Sequence, residues 1–339
     1  MARQEEGSRP ASTAGIVPHP AVVPDLSICI VNWNCCDYLR NLLTSIESAR
    51  EDLVVEVIVV DNASADNSAT MVSQEFREVQ LICNDRHQGV AKANNQAAAR
   101  SHGKFLLFLN NDTRILPGAL TKLVHCLEQR PELSAVAPSL TFPDGKPQGC
   151  VRKTLRLRAL FHRVLFLRWT RLFRSAEREY RQVNFDLKRS SYVDYLVGPA
   201  LLVRRRQFMS IGGWDEGFEF RMDDVDLSLR LGRLGKMYYL AEAQVIHWGG
   251  VATELDQAYA YCCGECSYVR FIRKHFGSWP ARWYKVLITV DMPLRVSLLG
   301  LSWLVKRPFG NRERTARNYR KLAAASRFLF RELPHYWRA

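Results

Sequence analysis

The sequence predicts an α/β protein built on a doubly wound, mostly parallel sheet. Segments typical of strands and of helices alternate along its first third, and the strand segments are SICIV, VEVIVV, VQLIC and FLLFL. VEVIVV is almost continuously apolar, as expected of a strand buried on both faces of a parallel sheet. Strands that alternate with helices in this way indicate parallel crossover units.

Strands and helices are predicted to alternate along the chain. Ordered structure is expected to begin at Leu26, with the strand SICIV. Helical spacing of apolar residues predicts the first helix, and its markers are Leu39, Leu42, Leu43 and Ile46. Further helices are predicted at about 66–76 and around 90–100, before the strand FLLFL.

Polar side chains stand at the ends of three of these strands. SICIV ends in Asn32 and Asn34, VEVIVV ends in Asp61, and FLLFL ends in NNDT. One such end is explained by an ordinary turn, because Asn and Asp are common turn residues. Three ends at one edge of a parallel sheet predict a ligand site, because open α/β sheets bind ligands beyond the carboxyl ends of their strands.

The chain divides into three predicted regions. Residues 1–24 lack periodicity and are expected to be disordered. Residues 25–255 form the α/β domain, with a basic amphipathic insert at about 151–181. Residues 256–339 are expected to be helical, basic and rich in aromatic residues.

Charge and cysteine usage limit the class of protein. The chain of 339 residues has a formal charge of +14, which indicates an anionic partner or, alternatively, a solvated basic surface. Nine scattered cysteines without a signal peptide favour reduced thiols in a cytosolic protein. Cys262, Cys263 and Cys266 lack a second ligand pair at a suitable spacing, so zinc binding there is not favoured.

Two basic and apolar segments suggest a membrane surface. Arg168, Arg171, Arg174, Arg178 and Arg181 recur at helical spacing beside an apolar run. The later aromatic and apolar group comprises Trp279, Trp283, Leu287, Leu298, Leu299, Leu301 and Trp303, and it is followed by Lys306, Arg307, Arg312, Arg314 and Arg317. The apolar segment 286–305 contains Asp291, Pro293 and Arg295, which argues against a membrane-spanning helix. These patterns predict a cytoplasmic protein that is peripheral on the inner face of the membrane, held by anionic lipid. The alternative is helices packed on the catalytic domain or on a second subunit of a homo-oligomer.

Seven motifs in order resemble the family 2 inverting glycosyltransferases of the GT-A fold, and most closely their bacterial rhamnosyltransferase-like branch. The motifs are IVNWN (30–34), VIVVDNASADNS (57–68), GVAKANN (89–95), FLLFLNNDT (105–113), GGWDEGF (212–218), DDVDLSLR (223–230) and VIHWGG (245–250). The resemblance implies transfer of a sugar from a nucleotide-sugar donor to a hydroxyl group, with inversion at the anomeric carbon.

The resemblance implies a donor site at the strand ends. Asp61 occupies the position that recognises the nucleobase, and the residues expected to line the donor are Asn32, Asn34, Asn94, Asn111 and Asp112. Asp112 is implied to bind a divalent cation, Mg²⁺ or Mn²⁺, with His247 as a further ligand. The common D-x-D motif is here Asn110-Asn111-Asp112, which leaves one carboxylate. Turn and cap roles remain the alternative for the Asn residues.

The resemblance also implies a catalytic site. Inversion by direct displacement needs one base, and the family motif assigns that role to Asp224. Asp223 is expected to support the acceptor, together with Trp214, Asp215 and Glu216. The alternatives are an acid-rich helix start for the Asp pair and a buried structural role for Trp214.

The resemblance favours deoxythymidine-diphosphate rhamnose as the donor, and the acceptor is expected to be a glycan or a polyprenyl-linked intermediate of cell-wall or surface-polysaccharide synthesis. A galactofuranose, glucose or N-acetylglucosamine donor remains open. A nucleic-acid-binding protein is a weaker alternative, because the DDVD cluster would repel phosphate chains.

Overall fold

The structure is a computed structural model that describes residues 23–196, 198–250, 257–306 and 312–338. Nearly all of the predicted disordered segment 1–24 lies outside these residues, as does Arg307. The side chains of Lys306, Arg312, Arg314 and Arg317, which were predicted to face a membrane, also lie outside the described residues.

The first half of the chain forms the predicted parallel sheet. Its elements are β1 (Leu26–Asn32), α1 (Cys36–Ala49), β2 (Val55–Asp61), α2 (Ser68–Glu75), β3 (Gln80–Cys83), α3 (Val90–Arg100) and β4 (Phe105–Asn110). The strands lie in the order β3-β2-β1-β4, and all are parallel. Asn32 pairs with Asp61 in the register, and Val31 pairs with Asn110. The polar strand ends therefore meet at one edge, as predicted.

The second half extends this sheet with mixed strands. Its elements are β5 (Thr113–Ile115), α4 (Ala119–Gln129), β6 (Leu133–Thr141), β7 (Pro147–Gln148), β8 (Val151–Arg152), α5 (Leu157–Phe161), α6 (Leu165–Trp169), α7 (Arg174–Tyr180), β9 (Ser191–Val193), β10 (Tyr195–Leu196), β11 (Ala200–Arg204), α8 (Arg205–Ser210), α9 (Asp223–Leu231) and β12 (Lys236–His247). The sheet continues β4-β11-β6-β12-β5, with β11 antiparallel to both of its neighbours. Antiparallel pairing of β12 with β5 returns the chain to the edge that carries the polar strand ends.

The described C-terminal region is helical, as predicted. It contains α10 (Gln257–Phe276), α11 (Ser278–Lys306), α12 (Arg312–Arg327), a short π-helical segment (Phe328–Glu332) and α13 (Leu333–Arg338). Between α10 and α11 only Gly277 intervenes, with φ of +97°. This left-handed conformation favours glycine and allows the sharp turn between the two helices.

Two hydrophobic cores stabilise the fold. The first lies between the sheet and the helices that flank it. The second joins Leu160 and Val164 of the insert to Val225 of α9 and to Ile288 and Phe328 of the C-terminal helices. The predicted boundary at residue 255, between the α/β domain and the C-terminal region, does not separate the two cores, because the second core contains residues from both sides of it. Helix α9, with the predicted catalytic carboxylates at its start, packs against both cores.

The insert is not the single basic helix that the sequence spacing suggested. It forms three short helices, and the left-handed conformations of Arg171 and Phe173, with φ of 59° and 61°, separate the second helix from the third. The predicted arginines are all exposed, but they do not lie on one helix face. The apolar side of the insert packs on the C-terminal helices, which matches the alternative interpretation of this region.

Helix α11 is continuous, although its sequence contains Asp291, Pro293 and Arg295. The charges do not interrupt it because they pair with each other: Arg295 Nε lies 2.5 Å from Asp291 Oδ2, on the side that faces the protein. Asp291 also accepts a hydrogen bond from the backbone N–H of Phe166 in the insert. By length and composition alone, residues 278–305 could form a membrane-spanning helix. Core helices of soluble proteins can have the same length and apolar composition.

Candidate active site

A cavity of about 330 Å³ opens at the edge where the polar strand ends meet. The predicted site residues on its wall are Asn94, Asn111, Asp112, Trp214, Asp223, Asp224 and His247. These residues come from the strand ends, from α3, from the Gly212–Gly213 turn and from the start of α9. The fold therefore brings the predicted metal ligands and the predicted catalytic carboxylates to one cavity.

Asp112 and His247 lie side by side because β5 pairs with β12. The register places His247 opposite Thr113, and His247 Nε2 lies 3.2 Å from Asp112 Oδ1. The other ring nitrogen, Nδ1, lies 2.6 Å from Gln148 Oε1. An amide oxygen only accepts hydrogen bonds, so this contact favours the proton on Nδ1 and leaves Nε2 as a metal-binding atom.

This pair suits a divalent cation. An imidazole nitrogen and a carboxylate oxygen, both partly or fully buried, face one another, and Mn²⁺ accepts both ligand types. Gln148 orients the ring, as partners of metal-binding histidines generally do. In the described part of the chain, no group of three or more His, Cys, Asp or Glu residues is arranged to hold a metal. Donor oxygens would therefore have to complete the coordination.

Asn32 joins the three strand ends and does not line the cavity. It is fully buried, and its Oδ1 accepts a hydrogen bond from Asn111 Nδ2 at 2.8 Å. Its Nδ2 donates to Asp61 Oδ1 at 3.1 Å. Asn32 thus positions the neighbouring strand ends through hydrogen bonds. This role differs from the direct donor contact that the sequence suggested.

Asn34 and Asp61 also lie outside the cavity lining, Asn34 in the turn after β1 and Asp61 at the end of β2. Asn34 has φ of 52°, and its Oδ1 accepts a hydrogen bond from the backbone N–H of Ala65 at 2.7 Å. Asp61 Oδ2 accepts one from the backbone N–H of Ser64 at 2.9 Å. These contacts match the alternative turn role, and contact with the donor base remains a prediction for both residues.

Asp223 and Asp224 begin α9 after two strained residues. Arg221 and Met222 both adopt left-handed conformations, with φ of 68° and 63°, which is rare for residues with side chains. Asp224 Oδ2 accepts a hydrogen bond from the backbone N–H of Gly198 at 3.2 Å. Burial raises the pKa of Asp224. Burial and the nearby charge of Asp224 together raise the pKa of Asp223 to about 7. Two carboxylates that ionise with difficulty suit proton transfer near neutral pH.

Trp214 is held in a tight turn. Gly212 and Gly213 have φ of 77° and 70°, and a Cβ on Gly213 would lie 2.6 Å from Asn95 Oδ1. That same Oδ1 accepts a hydrogen bond from the backbone N–H of Trp214, and Asn95 Nδ2 donates to the backbone oxygen of Trp214. The indole packs edge-on against Phe108, with centroids 5.1 Å apart. Trp214 is therefore both a buried structural residue and part of the cavity wall.

Asp215 and Glu216 do not face this cavity. Asp215 accepts hydrogen bonds from Arg270 Nη2 at 2.7 Å and Lys274 Nζ at 2.6 Å. Burial opposes its ionisation, but these two cations outweigh burial and lower the pKa of Asp215. Glu216 accepts a hydrogen bond from Asn95 Nδ2. The predicted acceptor role of both residues thus has no support in their position, because their carboxylates are engaged in holding the turn.

Asp226 is a structural anchor of α9. It is fully buried and lies within 2.8 Å of Arg230 Nε, Lys274 Nζ and His275 Nε2. Burial opposes its ionisation, but the hydrogen bonds from His275 and Lys274 and the charge of Arg230 lower the pKa of Asp226 to about 2. A carboxylate this acidic is a poor base at neutral pH. The candidates for the base are therefore Asp223 and Asp224.

Comparison with known proteins agrees with this geometry. Residues 27–185 match the family described as Glycosyl transferase family 2. The chain is 29% identical over 274 residues to the N-acetylglucosaminyl-diphospho-decaprenol L-rhamnosyltransferase of Mycobacterium tuberculosis H37Rv. This alignment covers 76% of this chain and 88% of that protein. Residues 27–185 form a glycosyltransferase family 2 domain. It is also 29% identical over 276 residues to the O-antigen biosynthesis protein RfbC of Myxococcus xanthus, covering 76% of this chain and 20% of that protein.

Solved structures confirm the GT-A fold of this family 2 glycosyltransferase. GalNAc-T7 with UDP, GalNAc and Mn²⁺ matches 75% of this chain and 52% of that one, with a TM-score of 0.52 and 13% identity. S. aureus TarS 1–349 matches 93% of this chain and 91% of that one, with a TM-score of 0.50 and 14% identity. At these identities the likeness concerns the fold alone.

Sequence reasoning missed several residues that support the glycosyltransferase site. Asn95 clamps the turn of Trp214, and Gln148 orients His247. Lys274 and His275 hold Asp226 from α10. Asn95 lies inside the motif GVAKANN, so its presence could have been noticed. The other three residues belong to no quoted motif.

The raised pKa values predict the pH dependence of the glycosyltransferase. A base must be ionised, so kcat/KM is expected to rise with pH through the raised pKa of the Asp223–Asp224 pair. The charge of Asp224 contributes to the raised pKa of Asp223, whereas burial raises the pKa of Asp224. Asp223→Asn leaves that burial in place, so with Asp224 as the base the acidic limb should stay near its wild-type pH. Rate profiles of both proteins measure the position of the limb, and a large downward shift in Asp223→Asn would contradict ionisation of Asp224 ahead of Asp223.

Proposed function

We propose that the protein is an inverting rhamnosyltransferase that moves rhamnose from deoxythymidine-diphosphate rhamnose to a hydroxyl group of a polyprenyl-diphosphate-linked glycan. The observation that carries the reaction type is that Asp112 with His247 and Asp223 with Asp224 line one cavity. The sugar and the acceptor class are suggested by the rhamnosyltransferase that shares 29% identity and aligns along 88% of its own length.

The proposed reaction is a single displacement. The acceptor hydroxyl attacks the anomeric carbon while the bond from that carbon to the diphosphate oxygen breaks. Asp224 takes the hydroxyl proton, and the bonding electron pair leaves with the nucleoside diphosphate. Asp223, whose pKa is raised to about 7, shares the acceptor side of the cavity and sets the charge beside the base.

Asp112 and His247 are the residues that would hold a divalent cation. When bound, Mg²⁺ or Mn²⁺ supplies positive charge near the diphosphate of the donor. Use of a divalent cation is also suggested by GalNAc-T7, whose structure contains UDP and Mn²⁺. The burial of Asp112 and the Gln148 contact would keep both ligands in place before the donor arrives.

A donor panel tests the proposal. Purified protein is incubated with an N-acetylglucosaminyl-diphospho-lipid acceptor and with dTDP-rhamnose, UDP-galactofuranose, UDP-glucose or UDP-N-acetylglucosamine, and product is detected by mass spectrometry. Transfer is expected from dTDP-rhamnose, and it should be lost in Asp224→Asn. Preferred transfer from another donor would overturn the sugar assignment and leave the reaction type intact. Absence of transfer from every donor, with hydrolysis also absent, would contradict the function.

A further inference from the structure

A second, smaller pocket of about 320 Å³ lies at the turn between α10 and α11. It is lined by Arg273, Ser278, Ala281, Arg282 and Lys285, and it shares none of these residues with the active-site cavity. The sharp turn at Gly277 brings the last part of α10 against the first turns of α11. Three cations from two helices therefore line one small space.

The charges of this pocket are not balanced by the protein. The five described residues that line it include no carboxylate, and in the described part of the chain no carboxylate lies within 4.0 Å of Arg273, Arg282 or Lys285. Lys285 is only 4% exposed, and its Nζ donates a hydrogen bond to the backbone oxygen of Trp337 at 2.9 Å. Burial and the positive charge of Arg273 lower the pKa of Lys285. An anion in the pocket would relieve this repulsion.

An exposed apolar surface begins beside the pocket and follows α11. The most exposed apolar side chains of this helix recur at intervals of three or four residues along its first turns, which places them on one side. They are Trp279 (70% exposed), Trp283 (57%), Val286 (38%) and Val290 (65%), and Leu301 (59%) and Leu304 (59%) continue the same spacing near the end of the helix. We call these six residues the α11 stripe. Arg282 of the pocket lies 5.8 Å from the ring centroid of Trp279, so pocket and stripe adjoin.

The other side of α11 is fixed to the protein. Tyr284, Ile288 and Met292 are fully buried in the second core. A helix with one buried side and one apolar exposed side is suited to lie in a membrane interface with its axis along the surface. Aromatic residues beside cations are typical of such interfaces, where rings enter the headgroup region and cations meet lipid phosphates.

We propose that this face docks the protein on an anionic membrane, with a phospholipid phosphate in the pocket of Arg273, Arg282 and Lys285 and with the α11 stripe in the interface. Trp279, Trp283 and Leu301 of the α11 stripe belong to the apolar group that the sequence suggested, whereas the three pocket cations were not among its predicted basic residues. Docking does not depend on the proposed reaction, since it needs no donor.

Vesicle flotation with the full chain tests the pocket. Vesicles of phosphatidylcholine are prepared with or without about one third phosphatidylglycerol, and no nucleotide sugar is present. The protein is expected to float only with anionic vesicles, and less so as salt rises. Arg273→Gln/Arg282→Gln should weaken binding on the order of 25-fold, because each cation contributes about fivefold. The charge-matched control is Arg77→Gln/Arg100→Gln, which changes two exposed arginines of the α/β domain and should bind nearly as wild type does.

The stripe is tested in the same assay. Trp279→Ser/Trp283→Ser changes two exposed rings, so the fold should persist, and circular dichroism checks this. Binding to anionic vesicles is expected to fall by about tenfold or more, because the apolar area that enters the interface is lost. Leu234→Ser, which changes an exposed apolar residue elsewhere (47% exposed), is the control and should leave binding unchanged.

Four results would overturn the proposal. Equal flotation with neutral vesicles would remove the need for a lipid phosphate. Equal losses in the pocket variant and its charge-matched control would show that only net charge matters. Retention in the membrane after an alkaline carbonate wash would indicate that α11 spans the bilayer. The fourth result combines two measurements. The protein would fail to float, and inorganic phosphate would raise the melting temperature of wild type but not that of Arg273→Gln/Arg282→Gln. That result would assign the pocket to a soluble anion.

Discussion

Replacement of Asp224 by Asn is expected to lower turnover by two or more orders of magnitude, with little change in donor binding. Asn preserves the shape of the side chain and can still accept the hydrogen bond from Gly198, but it cannot take the acceptor proton. General-base catalysis contributes about 10²- to 10⁴-fold, so its loss should appear mainly in kcat. Steady-state kinetics, together with titration of the nucleoside diphosphate, separate the two effects.

Asp223→Asn is the matched control for this variant. It makes the same chemical change one residue away, and it should reduce turnover less than Asp224→Asn does. If Asp224→Asn turned over as wild type does while Asp223→Asn did not, Asp223 would be the base. Asp226 is not a third candidate, because its cation partners hold its pKa at about 2.

Asp112→Ala should lower kcat/KM by about two orders of magnitude or more and abolish stimulation by Mn²⁺ or Mg²⁺. A bound metal supplies several kcal/mol of charge stabilisation to a departing diphosphate, and Asp112 is the one carboxylate of the Asn110-Asn111-Asp112 segment. Donor binding should weaken as well, because a cation held by Asp112 and His247 would supply positive charge near the diphosphate. Activity measured against metal concentration gives both effects.

Gln148→Leu tests the same site from its outer side. The substitution keeps similar bulk and removes the acceptor of the His247 Nδ1 hydrogen bond. Loss of such an orienting partner generally weakens metal affinity about 10- to 100-fold, so more metal should restore its activity, unlike that of Asp112→Ala. Full wild-type activity in excess chelator would contradict a metal-dependent reaction.

Much of the fold could be predicted because its signals are local. The apolar runs of β1, β2 and β4 and their Asn or Asp ends are visible within a few residues of sequence. Parallel register then brings those ends to one edge of the sheet. The order of the seven motifs indicated the GT-A fold. The motifs that contain Asp112, Asp223 and Asp224 could be quoted from the sequence, and in the structure these three residues line one cavity.

The remaining site features depend on contacts between distant residues. Asp215 and Asp224 both occur in acid-containing motifs, so the sequence does not distinguish their roles. The packing of α10 brings Arg270 and Lys274 into salt bridges with Asp215. Helical spacing likewise could not show that the insert breaks at Arg171, since any residue type there would fit the periodic pattern. In α11, the charge of Asp291 looked like an interruption because its partner Arg295 lies one helical turn away, on the same buried side.

The anomeric configuration of the product tests the central claim most directly. The cavity brings Asp112 and His247 together with Asp223 and Asp224, and the proposal of Asp224 as the one base predicts a single displacement and therefore inversion. Product formed from the active donor should show, by nuclear magnetic resonance, the anomeric configuration opposite to that of the donor. A product with retained configuration would contradict both the direct displacement and the role assigned to Asp224.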